Sequence, residues 1–150
     1  MPNALIRLGF TGTRRGMTPA QRRAAWELLR FLAPAEAHHG DCVGADADFH
    51  QLAASVGTPL VVIHPPASEA LRAFCGVVRG IDQVVMREPR APLDRNRVIV
   101  AETTHLLACP ATADEELRSG TWATIRAAHR LARPTLILAP DGRILGGLDG

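Results

Sequence analysis

Three short segments place glycine beside hydroxyl and charged residues directly after apolar runs. They are Gly9-Phe10-Thr11-Gly12-Thr13-Arg14, Gly40-Asp41-Cys42-Val43-Gly44-Ala45-Asp46 and Ser119-Gly120-Thr121-Trp122-Ala123-Thr124. Glycine lets a backbone approach an anion closely, and the first N–H groups of a following helix lack an intrahelical partner. The chemistry this suits is the holding of a phosphate. At the first turn Arg14 adds forked donors that match an oxyanion, beside the plainer reading of a tight turn at Gly12-Thr13. Ser119, Gly120 and Thr121 open a helix and fit either a phosphate site or a simple cap. Trp122 fits stacking on a base or packing at the core or its rim.

Asp41, beside Gly40, suits a turn or a hydrogen bond to a ribose hydroxyl, and Asp46, just past Gly44, suits a pocket carboxylate or a helix N-terminal charge. Asp46 and Asp48 lie two apart on a predicted helix and splay, so they do not form a metal cluster. His38 and His39 end a strand, which sends one inward and one outward, and His50, His64 and His129 show no ligand spacing. No metal and no cofactor is expected. Cys42, Cys75 and Cys109 are odd in number, lack C-x-x-C spacing and sit in or beside apolar segments, as buried reduced thiols do. Cys42 near a helix start could act as a nucleophile, but no base is placed for it. Reduced thiols, with no signal pattern and no apolar run near the ~20 residues of a membrane helix, point to the cytoplasm and away from the membrane.

These residues must be carried by a scaffold. The 150 residues, 47% of them apolar, suffice for a core and are expected to form a single domain over 1–150. A formal net charge of +2 does not by itself argue for nucleic acid. Strands are expected at Ala4–Phe10, Glu36–His39, Leu60–His64, His105–Cys109 and Thr135–Leu138, with a last strand or a frayed tail around Arg143–Leu145. Helices are expected at Pro19–Leu32, after the Thr18-Pro19-Ala20-Gln21 start signal, at Ala45–Ser55, Ser68–Cys75, Leu93–Glu102 and Trp122–Ala132. Gly76–Pro92 has weak periodicity and reads as a lid or surface excursion. Strands alternating with helices, in short continuous apolar runs, predict an α/β, Rossmann-like, doubly wound parallel sheet with helices on both faces. Ligands of such sheets bind outside the carboxyl ends of the strands, where the glycine turns fall.

Taken in order, GFTGTRRGMT (9–18), HHGDCVGADADFH (38–50), LDRNRVIV (93–100), HLLACP (105–110) and SGTWATIR (119–126) resemble the SLOG superfamily over nearly the whole chain. That superfamily groups LOG phosphoribohydrolases, the DNA-processing proteins Smf/DprA and stand-alone nucleotide-sensing domains. The resemblance implies binding of a nucleotide or nucleotide-derived small molecule, as a sensor or sequestering module. It places Arg95 at the LOG arginine, Asn96 at the lysine, Pro110 at the proline and Gly120-Thr121 at the Gly-Thr. Two departures stand out: Thr124 occupies the position of the catalytic glutamate, and Ala111–Ser119 is inserted before the glycine loop. A hydroxyl is not a carboxylate in acid–base work or in stabilising an oxocarbenium charge.

Two alternatives follow from the same resemblance. One is an N-glycosidic nucleotide hydrolase in which Arg95 works with Asp41, Asp46 or Glu102; the other is single-stranded DNA binding through Arg14, Arg15, Arg22, Arg23 and Arg30. Scarce aromatics, four Phe, two Trp and no Tyr, disfavour the latter. A homodimer paired through the Trp122–Ala132 helix is also implied.

Overall fold

The computed structural model describes residues 3–145. The strands are β1 (Asn3–Gly12), β2 (Pro34–His39), β3 (Leu60–Ile63), β4 (Gln83–Met86), β5 (His105–Cys109), β6 (Thr135–Leu138) and β7 (Ile144–Leu145). They form one sheet in the order β4-β3-β2-β1-β5-β6-β7. Every pairing is parallel except the last, β6 with β7. The helices are α1 (Pro19–Leu32), α2 (Ala45–Ser55), α3 (Pro92–Glu102) and α4 (Gly120–Arg130).

Local sequence explains where helices start. Thr18 caps α1 in a full capping box: its hydroxyl accepts from Gln21 N–H at 3.0 Å and the Gln21 side chain accepts from Thr18 N–H at 3.0 Å. Ala25 and Leu29 of α1 and Ala45, Phe49 and Ala53 of α2 are fully buried against Leu8, Phe10, Ile63, Leu107 and Leu138. The opposite face is covered by Val100 of α3 and Trp122, Ile125 and Ala128 of α4, packed on Leu106, Ala108 and Ile137. Successive β5 residues thus enter opposite layers, as period-two geometry requires.

Because both faces are covered, His38 and His39 are both buried, at 1% and 0% exposure, correcting the expectation that one would face solvent. Two further expectations change. Only Glu69–Leu71 of the predicted Ser68–Cys75 helix is helical, as one 3₁₀ turn. The rest is tied down by backbone bonds that a helix could not make: Val43 N–H to Leu71 O at 3.0 Å and Ala73 N–H to Asp41 O at 2.7 Å. The Gly76–Pro92 stretch is not a free excursion, since its Gln83–Met86 run pairs with β3 as the edge strand. A four-residue strand with partial burial has too little pattern to be seen from sequence alone.

The chain leaves β1 for β2 on one side and returns through β5 on the other. This reversal of strand order opens a crevice at the carboxyl ends of β1 and β5, the place where ligands of open α/β sheets sit.

Candidate functional site

At that crevice lies a cleft of about 550 Å³. One wall is the end of β1 and its turn, Thr11, Gly12, Thr13, Arg14 and Arg15. Thr13 holds this turn in place. Its N–H donates to Cys109 O at 3.1 Å, and its carbonyl accepts from Gly16 and Ala45 at 3.1 and 3.0 Å. Glycine is required where the turn meets α2. A Cβ on Gly12 would lie 2.5 Å from that of Ala45, and one on Gly44, whose φ is +98°, would strike the Arg14 carbonyl. The turn therefore projects Arg14 and Arg15, both exposed, over the cleft from a rigid base.

The opposite wall is the start of α4, with Ser119, Gly120 and Thr121, and Arg118 at its rim. Ser119 caps the helix by accepting from Trp122 N–H at 3.2 Å. The N–H groups of Gly120 and Thr121 belong to the first turn and have no intrahelical acceptor. A Cβ on Gly120 would point into open space.

The floor joins Gly40, Cys42 and Asp46 to Arg95 and Asn96 of α3. Arg95 is 5% exposed and its donors are largely committed. It donates to Gly40 O at 2.5 Å, His64 O at 3.2 Å, Asn96 Oδ1 at 2.7 Å and Cys42 Sγ at 3.5 Å. It braces the ends of β2 and β3 more than it reaches into the cleft. Asp46 accepts from Cys42 N–H at 3.1 Å. Burial pushes its carboxyl up to about 6, against the pull of nearby Arg95.

Of the residues expected at the site, Gly12, Thr13, Arg14, Gly40, Asp46, Arg95, Asn96, Ser119, Gly120 and Thr121 converge on this cleft. Four others do not line it. The fully buried side chain of Asp41 turns the other way: with φ at 54° it accepts from Arg72 Nε at 3.0 Å and Cys75 N–H at 2.9 Å. It fastens the 71–75 segment. Pro110 offers its carbonyl to Gln21 Nε2 at 3.0 Å and lines a neighbouring hollow. Trp122 is buried and packs in the α3–α4 layer, where its ring serves the core. Gly44 turns the backbone into α2 and lets the β1 turn pack on that helix. Glu102 pairs with Arg87 at 2.7 Å, and Arg97 with Asp94 at 3.7 Å on the exposed side of α3.

Arg118 carries no local signal in the sequence, because it sits in an aperiodic insert that only tertiary structure brings to the helix start. The histidines are also corrected. Four of them gather in two groups, His39 with His50 and Cys75, and His38 with His64 and Glu102. The packing of α2 and the 71–75 segment on β2, and of α3 on β2 and the end of β3, makes these neighbours; sequence spacing could not reveal them. Burial lowers His38 and takes His64 down to about 3. It also pushes the Cys75 and Cys109 thiols up to about 12, which makes both poor nucleophiles.

No protein-family model matches the sequence, and no curated protein matches it either. Solved structures do share its fold. DNA processing protein A of Streptococcus pneumoniae superposes with a TM-score of 0.66 at 19% identity, over 96% of this chain and 53% of that one. The single-stranded-DNA-binding DNA processing protein A of Helicobacter pylori gives 0.64 at 20% identity, over 97% and 69%. The structural-genomics protein TM1055 gives 0.57 at 18% identity, over 87% and 72%. This chain thus spans about half the length of the Streptococcus protein. Among the described residues no helix is long and apolar enough to cross a membrane. What these structures share with the chain is the fold, a mostly parallel, Rossmann-like α/β sheet covered by helices.

Proposed function

We propose that the cleft between the β1 turn and the start of α4 binds a nucleotide or nucleotide-derived small molecule, with its phosphate held by backbone N–H groups and arginines. The observation that carries this reading is the meeting of two glycine turns, far apart in sequence, with Arg14, Arg15 and Arg118 around one cleft. Unpartnered helix-start N–H groups and guanidinium groups are both anion ligands. The volume falls within the roughly 300–1,000 Å³ usual for small-molecule sites.

Binding without reaction is favoured over hydrolysis. The hydroxyl of Thr124, at the position of the LOG glutamate, is spent on Gly120 O at 2.8 Å. Of the carboxylates considered as replacements, only Asp46 lines the cleft. The hydrolase alternative therefore narrows to Asp46 with Arg95.

The test is a thermal-shift panel of nucleoside mono-, di- and triphosphates and cyclic nucleotides on the full chain, with hits analysed by chromatography for free base. Stabilisation without base release, diminished in Arg118→Ala, is the expected outcome, because a ligand that binds only the folded state raises its apparent stability. Base release lost in Asp46→Asn would replace the sensor reading by the hydrolase one. A likeness in fold to the Helicobacter DNA-binding protein keeps single-stranded DNA as the second reading. Arg22 is paired with Asp48 at 2.5 Å and Arg30 stacks over Trp26, which leaves that basic surface partly engaged. Strongly salt-dependent binding of oligothymidine with no response to mononucleotides would favour DNA. A homodimer through α4 is part of the proposal, and a monomer in light scattering would remove it.

A further inference from the structure

The imidazoles on the α3 face of the sheet are arranged in a way that phosphate binding does not use. His38 lies on β2, His64 just past β3 and Glu102 at the last residue of α3, and one ligand atom from each lies within 4.8 Å of the others. Both histidines are buried, whereas Glu102 reaches the surface. His38 Nδ1 faces His64 Nε2 at 2.9 Å. Across its own ring, His38 Nε2 meets Glu36 Oε1 at 3.1 Å. An ionised carboxylate only accepts, so Nε2 carries the proton and Nδ1 keeps its lone pair. A carboxylate behind a histidine is how metal-bound imidazoles are oriented. Arg87 donates to Glu102 at 3.2 and 2.7 Å, both times to Oε1, and no hydrogen bond to Oε2 is formed among the described residues.

We propose that His38 Nδ1, His64 Nε2 and a Glu102 carboxylate oxygen form a site for one divalent first-row transition ion, with water completing its shell on the Glu102 side. Two imidazoles and one carboxylate suit zinc or its neighbours better than calcium or magnesium, which take oxygen ligands. Ligation needs His64 to carry its proton on Nδ1 instead of Nε2, a tautomer change with no net proton gain or loss. Nitrogens at ~2.0–2.1 Å from a tetrahedral ion stand about 3.4 Å apart, so the rings need separate by only about half an ångström. The ion would cross-brace β2, β3 and α3. It would also steady the cleft floor, since His64 O accepts from Arg95.

The second histidine group supplies an internal contrast. Asp41 N–H donates to His39 Nδ1 at 3.0 Å, so His39 Nε2 carries the proton and donates to His50 Nδ1 at 2.9 Å. His50 Nε2 in turn donates to Gly76 O at 2.7 Å. Every ring nitrogen there is spent, and no lone pair remains for an ion.

The test uses the full chain, stripped with a chelator, then dialysed against zinc sulfate for elemental analysis and titrated with cobalt(II) chloride in the visible range. About one zinc per chain is expected, with a cobalt spectrum of imidazole and oxygen ligands that lacks thiolate-to-cobalt charge transfer. Glu102→Gln, at a partly exposed position, should keep the circular dichroism spectrum and weaken zinc at least about tenfold. The double variant His38→Gln/His64→Gln should retain none, and Cys75→Ser should bind as the wild type does. Equal zinc affinity in wild type and Glu102→Gln would overturn the assignment, as would wild-type zinc at background level. A thiolate charge-transfer band abolished by Cys75→Ser would move the ion to the other group and overturn it equally.

Discussion

Replacing Asp46 by asparagine probes the electrostatics of the cleft floor. The side chain is 6% exposed, and burial raises its carboxyl from 3.8 to about 6, with Arg95 opposing the rise. The folded protein therefore holds this proton more tightly than the unfolded chain does. The resulting stabilisation is complete below 3.8, where both states are protonated, and is lost as pH rises through about 6. By pH 7 the ionised carboxylate has removed ~3 kcal/mol relative to acid, at 1.36 kcal/mol per pH unit. Asparagine keeps an oxygen to accept from Cys42 N–H but does not titrate. The unfolding free energy of wild type minus that of Asp46→Asn should thus fall by ~2 kcal/mol between pH 4 and 7, the rest being lost already below pH 4. His38 and His64, whose lowered values make their contributions disappear in acid instead, are common to both proteins and cancel in the difference. Urea unfolding followed by circular dichroism at half-unit pH steps measures the quantity. A difference that stays flat from pH 4 to 7 would refute the reasoning, because Arg95 would then fully offset burial.

Glycine contacts separate packing from function: Gly44→Ala should cost ~3 kcal/mol or more in thermal denaturation through its positive φ and the Arg14 carbonyl, while Gly120→Ala, in open space at a helix start, should be neutral or gain up to ~1 kcal/mol. A tolerated Gly44→Ala would count against the docking of the β1 turn on α2. Asp41→Ala strands Arg72 and the Cys75 N–H and should cost ~3 kcal/mol and expose the 71–75 segment to proteolysis; a loss below ~1 kcal/mol would return Asp41 to the list of ligand contacts. Arg14→Ala and Arg118→Ala should each weaken nucleotide binding about tenfold and lessen its salt dependence in calorimetry, since a charged donor is removed from an anion site. Unchanged affinity in both would place the ligand elsewhere. Because a bound anion favours protonated Asp46, affinity should decline as pH rises through about 6 and do so less in Asp46→Asn; the opposite slope would separate Asp46 from the ligand.

Elements whose cause is local were legible in the chain. Pro19–Leu32 follows from Thr18 and Gln21, Ala45–Ser55 starts where Gly44 turns the backbone, and His105–Cys109 and Thr135–Leu138 are continuous apolar runs that suit a sheet covered on both faces. The parallel architecture and the edge where the glycine turns meet follow from that alternation. Side-chain direction was not legible. Asp41 sits in a glycine turn that resembles a ligand loop, yet its carboxylate turns to Arg72 because the 71–75 segment docks behind it, a contact across some thirty residues. Trp122 opens the helix at the cleft, but helical geometry swings its ring into the α3–α4 layer. Arg118 owes its position to an insert, and the two histidine groups owe theirs to the packing of helices and loops on the sheet. Local propensities and turn chemistry are written residue by residue, whereas the approach of distant residues depends on which elements become neighbours, and that is decided only when the sheet is assembled.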